Sequence, residues 1–296
     1  MRHLLTILPF FLLLLTACEA GDSRKPRGNA SPYGVLVVND SAGVVGRQLS
    51  QDEPGLPQPE PQFDCSAIKR KDFRGSKRRA RAIVIFEPSG IPGATDLSWK
   101  LNVDAHPQIV IKTTAGGLQR LQPLLDAFER NVAAQEIKRK GNRHFENLID
   151  SLFQFRMLVP ADMTASKRGR NFLWMSNNSL RGMQNLCVMR LQGTTTTDRI
   201  DSCLKANIKG ETDRMWMQLV KSTVHKRQIG NAQGFYGLWQ MEGDAMGGPF
   251  TARVFDRADG SSVVVMGFVY APEMKKRNLI QQLNAVLYNK YINNGK

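Results

Sequence analysis

Two apolar runs of strand length, joined by a four-residue turn, constrain this chain more than any other feature. Phe250–Phe255 and Val263–Tyr270 flank Arg257-Ala-Asp-Gly260, and an Asp-Gly turn between strand-like runs specifies a β-hairpin. Pro272 then stands at the position that favours a helix start. Leu279, Ile280, Leu283, Val286, Leu287 and Tyr291 follow as one apolar stripe. Antiparallel strands covered by a terminal helix predict an α+β architecture.

The rest of the chain divides around that element. Gly34–Val38, Ala82–Phe86 and Gln108–Ile111 are strand-like, with a helix ending at Leu49 and a loop over Pro88–Gly93. Leu118, Leu121, Leu125, Phe128 and Val132 recur at helical spacing, and Gly141 is placed to end that helix. Residues 33–140 are therefore expected to form a small N-terminal α/β unit. Residues 141–296 are expected to form an α+β sandwich. It has a second helix over Phe145–Leu152, strands at Phe172–Met175, Leu186–Leu191, Arg214–Leu219 and Phe235–Met241, and a capped helix over Asp198–Asn207. The order of elements loosely resembles the Mog1/PsbP-like fold. Pro54–Pro61 holds four prolines in eight residues and predicts an extended, polyproline-like connector.

At the other end, Arg2 precedes an apolar run from Leu4 to Leu15 and the sequence Leu15-Thr-Ala-Cys18. Such a run is too short for a bilayer span, which needs about 20 residues, and has the length of a signal peptide. Its ending resembles a bacterial lipobox. The expectation is a signal peptide over 1–17, an acylated (palmitate-bearing) Cys18, and a flexible tether over 18–32 rich in turn formers. Acyl chains at about 0.8 kcal/mol per buried methylene anchor a protein without further contacts. The expected location is the bacterial cell envelope, on the periplasmic face of the outer membrane.

With 41 Lys plus Arg against 26 Asp plus Glu, the chain carries +15, which falls to +14 once residues 1–17, whose one charged residue is Arg2, are removed. Half of that excess sits in thirteen residues. Lys69, Arg70, Lys71, Arg74, Lys77, Arg78, Arg79 and Arg81 face only Asp72. This run suits anionic lipid or glycolipid head groups, and equally a solvated loop. Nucleic acid is not expected as a partner, because a signal peptide takes the chain out of the cytoplasm and Phe73 is the run's only aromatic.

Gly237–Phe250, which ends in Met246-Gly-Gly-Pro-Phe250, joins Gly55–Phe63 and Gly267–Pro272 in a set of segments that resembles the domain of unknown function 4837 family, predicted lipoproteins of Bacteroidetes. The resemblance implies an envelope lipoprotein and brings no activity, cofactor or catalytic residue with it. Within the Met-Gly-Gly-Pro-Phe block, Gly247 and Gly248 before Pro249 suggest a backbone that takes positive φ and turns sharply between strands. A binding edge formed by Trp239, Met246, Gly247, Gly248, Pro249 and Phe250 is the competing view. Trp239, Met241, Met246, Phe250, Phe268 and Tyr270 either fill a core or line an apolar pocket beneath the last helix.

Motifs for chemistry are sparse. His106, His144 and His225 lack metal-ligand spacing, and neither a nucleophile elbow nor a phosphate loop is present. Cys65, Cys187 and Cys203 include no C-x-x-C pair. Cys187 and Cys203 are the better candidates for a disulfide, with buried free thiols as the alternative. No cofactor is expected. A non-enzymatic binding or accessory protein with an envelope partner fits best, and an enzyme whose site is assembled from scattered residues is the alternative.

Overall fold

The computed structural model describes residues 25–88, 96–229 and 232–292. The signal-peptide region, Cys18 and most of the Pro88–Gly93 loop lie outside them. The chain forms two compact units, one from Met1–Gly46 with Cys65–Leu121, the other from Arg47–Asp64 with Gln122–Lys296. The helix that follows residue 120 thus clusters with the second unit, and so does the segment containing the prolines.

The first unit is built on a five-stranded sheet. Its strands are β1 (Gly34–Val38), β2 (Asp64–Ile68), β3 (Ala82–Phe86), β4 (Leu97–Leu101) and β5 (Ile109–Thr113), in the order β2-β1-β3-β5-β4. The pairs β1–β3 and β3–β5 are parallel, while β4 runs antiparallel to β5. Continuous apolar sequence in β3, buried at every position, is what a central parallel strand requires. Helix α1 (Val44–Leu49) starts where the Asp40 carboxylate accepts the amides of Val44, Val45 and Gly46 at 2.8–3.0 Å.

Residues 25–32, expected as part of a flexible tether, are instead docked on this unit. The amides of Gly28 and His106 donate to the carbonyls of His106 and Pro26, and Asn29 exchanges backbone bonds with Arg79 and Arg81. Isolated parallel bridges pair Arg27 with His106 and Asn29 with Ala80. Polar, turn-rich composition suggests freedom, but backbone groups at the sheet end offer partners.

The second unit carries an eight-stranded sheet. Before it come α2 (Leu121–Lys140) and α3 (Arg143–Phe153), then β6 (Ala165–Gly169), β7 (Phe172–Ser176) and β8 (Met183–Gln192). Helix α4 (Thr197–Asn207), capped by the Thr196 hydroxyl, leads to β9 (Met217–Leu219), β10 (His225–Ile229), β11 (Ala232–Met241), β12 (Gly247–Asp256) and β13 (Ser261–Tyr270). Helix α5 (Arg277–Leu287) closes the unit. The order is β10-β11-β12-β13-β8-β7-β6, with β9 also paired to β11. Every pair is antiparallel, so the α+β reading holds. The expected β12–β13 hairpin is present, turning through Arg257–Gly260.

Alternation along the central strands sends side chains to two cores. Leu186, Val188, Val263, Val265 and Val269 pack with α3 and α5. Cys187, Met189, Val264, Met266 and Phe268 pack with α4 and β9. Cys65, Cys187 and Cys203 are free thiols; Cys187 and Cys203 share the second core, where burial pushes both thiols up, that of Cys203 to about 11.

Two expectations about chain direction are corrected. Pro272 opens a turn, and α5 starts five residues later at Arg277. The Pro54–Pro61 stretch is a closed loop, not an extended connector. The Glu53 amide donates to the Glu60 carbonyl at 2.7 Å, and that of Gln62 to the Gln51 carbonyl at 2.8 Å. Asp52 and Pro61 form an antiparallel bridge across the loop's neck.

Candidate functional site

The basic run lies in the first unit as two 3-10 turns, Arg70–Asp72 and Gly75–Arg79. Lys69, Arg70, Lys71, Arg74, Lys77, Arg78 and Arg79 are exposed, and Arg81 is half-buried. Two of them meet carboxylates, Arg70 with Glu87 at 2.6 Å and Arg78 with Asp104 at 3.2 Å. Lys69, Lys71, Arg74, Lys77 and Arg79 have no carboxylate in ion-pair range among the described residues.

This surface is rigidly presented. Gln108, fully buried at the start of β5, donates its side-chain amide to the carbonyls of Arg78 (2.7 Å) and Ala80 (2.9 Å). Its side-chain oxygen accepts from the Asp104 amide at 2.8 Å. The Asn29 side chain donates to the Ser76 carbonyl at 3.0 Å. The second turn, the docked segment 25–29 and the 102–107 loop therefore gather at the end of the sheet where β3 and β5 begin.

The Met246–Phe250 block has a different character from the one its glycines suggest. The hairpin turns through Glu242–Ala245, with Gly243 at φ +78° and the Met241 amide on the Met246 carbonyl. Neither Gly247 nor Gly248 takes positive φ; both lie inside the ladder, opposite Gln240 and Trp239. Close approach is the reason for Gly248. A Cβ there would fall 2.0 Å from the Val269 carbonyl oxygen. With no side chain in the way, the Trp239 indole N–H reaches across β12 to donate to that same carbonyl at 3.1 Å.

Trp239 and Phe250 are buried, Pro249 pairs with Leu238, and Met246 packs at the edge of the core. Trp239, Met246 and Phe250 belong with Met241, Phe268 and Tyr270 to the α4 face of the sheet, not to the space beneath α5.

A third constellation, missed by sequence reasoning, lies in the second unit. Glu53, 8% exposed, approaches Arg227 on β10 at 3.5 Å, and Arg227 stacks over the Tyr236 ring. Burial pushes the Glu53 carboxyl up to about 7; Arg227 and a hydrogen bond from Gln281 pull it down, and Asp126 pushes it up further. Burial likewise raises Asp126, on α2, to about 6, against the pull of Arg130 and Arg227.

At the far neck of the same loop, the Glu60 carboxylate accepts the amides of Lys276 (2.7 Å) and Arg277 (3.0 Å) and so caps α5. The Arg277 guanidinium donates to the Gln62 carbonyl at 2.7 Å and pairs with Asp64. The arrangement can hold a proton near neutral pH and clasp α5. One signal is available in the sequence: Glu129, 2% exposed, is an acid at i+4 from Leu125 on the apolar stripe of α2.

Among the described residues, no three His, Cys, Asp or Glu side chains come together in a group that could hold a metal ion. Among them, too, no helix is long and apolar enough to cross a membrane.

A family model described as domain of unknown function (DUF4837) matches residues 142–289, and a second, also a domain of unknown function (DUF8532), matches residues 29–145. No curated protein matches the chain. A solved structure from Bacteroides thetaiotaomicron VPI-5482 is 16% identical, with a TM-score of 0.26. The match covers 46% of each chain, so this chain spans about half the length of that protein.

Proposed function

Starting from a chain that belongs to the DUF4837 family, matched over residues 142–289 of 296, we propose that it is a lipid-anchored protein of the bacterial envelope with a non-enzymatic binding or accessory role. The observation that carries this reading is the apolar run ending in Leu15-Thr-Ala-Cys18. Acylated Cys18 is the anchor, and the outer membrane's periplasmic face is the location that goes with it. The partner is an envelope component, and the exposed cations of the first unit favour one with anionic groups.

The enzymatic alternative would have to draw on Glu53 and Asp126, the carboxyls moved furthest from their usual range. Glu53 is almost enclosed and already engaged by Arg227 and Gln281, which favours a structural role for it. Mass spectrometry of the mature protein extracted from membranes tests the anchor. The expected N-terminal residue is a diacylglyceryl-modified Cys18, with Cys18→Ala giving an unprocessed or soluble form. An unmodified Cys18 in the mature wild-type chain refutes the reading.

A further inference from the structure

We infer that the surface formed by Arg27, Arg74, Lys77, Arg78 and Arg79 docks on the net-anionic phosphate head groups of the bilayer that holds the anchor. The inference rests on the anchored reading for its choice of membrane. Its support is geometric. Cys18 and Lys25 are seven residues apart, so covalent geometry limits their separation to about 25 Å even at full extension.

From Lys25 onward the chain is fixed. The Lys25 ammonium donates to the Asn102 carbonyl at 2.7 Å, the Gly28 amide to the His106 carbonyl, and the Asn29 amide to the Arg79 carbonyl at 2.9 Å. The tether from the anchor therefore enters the fold beside the basic turn. A lipid inserted at Cys18 leaves the cations beside this segment free to approach the head groups to within a Debye length, about 8 Å at physiological ionic strength, where their attraction is not screened away.

Composition of the surface fits that partner. Asp104 neutralises Arg78 alone; Arg27, Arg74, Lys77 and Arg79 have no carboxylate in ion-pair range among the described residues. Phe73, the run's one aromatic, packs against the cluster of Val38, Ala80, Ile83 and Ile85 rather than outward. Contact is thus electrostatic and peripheral, without an inserted apolar wedge, and each cation acts as a point charge toward phosphate. Because Gln108 holds the carbonyls of Arg78 and Ala80, the backbone that carries these cations is fixed without a lipid present.

The test uses the unacylated chain from residue 19 onward, with vesicles of phosphatidylcholine alone and of equal parts phosphatidylcholine and phosphatidylglycerol. Binding to the anionic vesicles alone is expected, lost as salt rises. Lys77→Gln with Arg79→Gln should lower the partition coefficient about 30-fold with an unchanged melting temperature, since both side chains are exposed. The control, Lys167→Gln with Arg168→Gln on exposed positions of β6, should bind like the wild type.

Equal binding to both vesicle types overturns the inference, as does retained binding by the Lys77/Arg79 variant. An equal loss from the β6 control also overturns it, because net charge alone would then explain the binding. Displacement by millimolar inorganic phosphate at constant ionic strength would point to a soluble phosphorylated ligand and overturn it as well. None of these outcomes depends on Cys18, so the anchor and the surface fail separately.

Discussion

Glu53 gives the second unit a stability that falls as pH rises. Its carboxyl ionises at about 7 in the folded protein against 4.5 when unfolded. A raised acid is protonated more in the folded state, so its contribution is full below the unfolded value and is lost as pH climbs through the folded one. A tenfold change in proton affinity corresponds to about 1.4 kcal/mol, and the portion falling between about pH 5 and pH 8 is about 2–3 kcal/mol. Asp126, raised from 3.8 to about 6 by burial, adds a smaller loss of the same sign.

The perturbation is Glu53→Gln, which keeps the side chain's shape and removes the proton equilibrium. Urea unfolding followed by tryptophan fluorescence, to which Trp174, Trp216 and Trp239 of this unit contribute, should give a wild-type midpoint higher at about pH 5 than at about pH 8. The variant should show roughly a third to a half of that difference, the remainder coming from Asp126. An identical pH slope in the two proteins would show that Glu53 titrates in the ordinary carboxylate range and would refute the argument.

Gly248→Ala should lower the melting temperature by several degrees, because its Cβ meets the Val269 carbonyl oxygen at 2.0 Å and β13 must shift. Gly247→Ala, at 2.9 Å from the Trp239 carbonyl oxygen, should cost less; calorimetry of the two checks the order, and a wild-type melt for Gly248→Ala contradicts it. Glu60→Gln should destabilise the second unit by about 1–2 kcal/mol by weakening a charged cap on α5. Hydrogen exchange at the amides of Lys276 and Arg277 reads that loss directly, and unchanged protection there would contradict it. Cys187 should resist alkylation in the folded protein and react only on unfolding, given its complete burial.

What the sequence discloses follows where each segment's partners lie. The central strands β1, β3, β8, β12 and β13 are legible because most of their positions are buried and apolar residues dominate them. The strands that carry no such signal, β2, β4, β6 and β10, stand at the ends of the two strand orders. Edge strands have less surface to bury, and Ala165-Ser-Lys-Arg-Gly169 and His225-Lys-Arg-Gln-Ile229 read as polar loops. The start of α5 is misplaced by sequence for a related reason: Pro272 is a local signal, but the cap is Glu60, which no window of sequence around the helix contains. Trp239, Gly248 and Phe250 stand out as a group, while the reason for Gly248 lies on a neighbouring strand, at Val269.

The closed loop over residues 51–62 sets the order in which the molecule can be completed. Glu60 waits for Lys276, 216 positions later in the chain, and the first unit is interrupted by the very segment that waits. A polypeptide made from its N-terminus outward can close its five-stranded sheet early, but its second core stays open until α5 has emerged. Contacts of such long range make for slow final closure, and they turn the C-terminal helix into a checkpoint. A chain truncated before Arg277 would leave the proline loop without its clasp and α3 without the helix that shares its core, exposing the incomplete second unit to proteases that a finished molecule excludes.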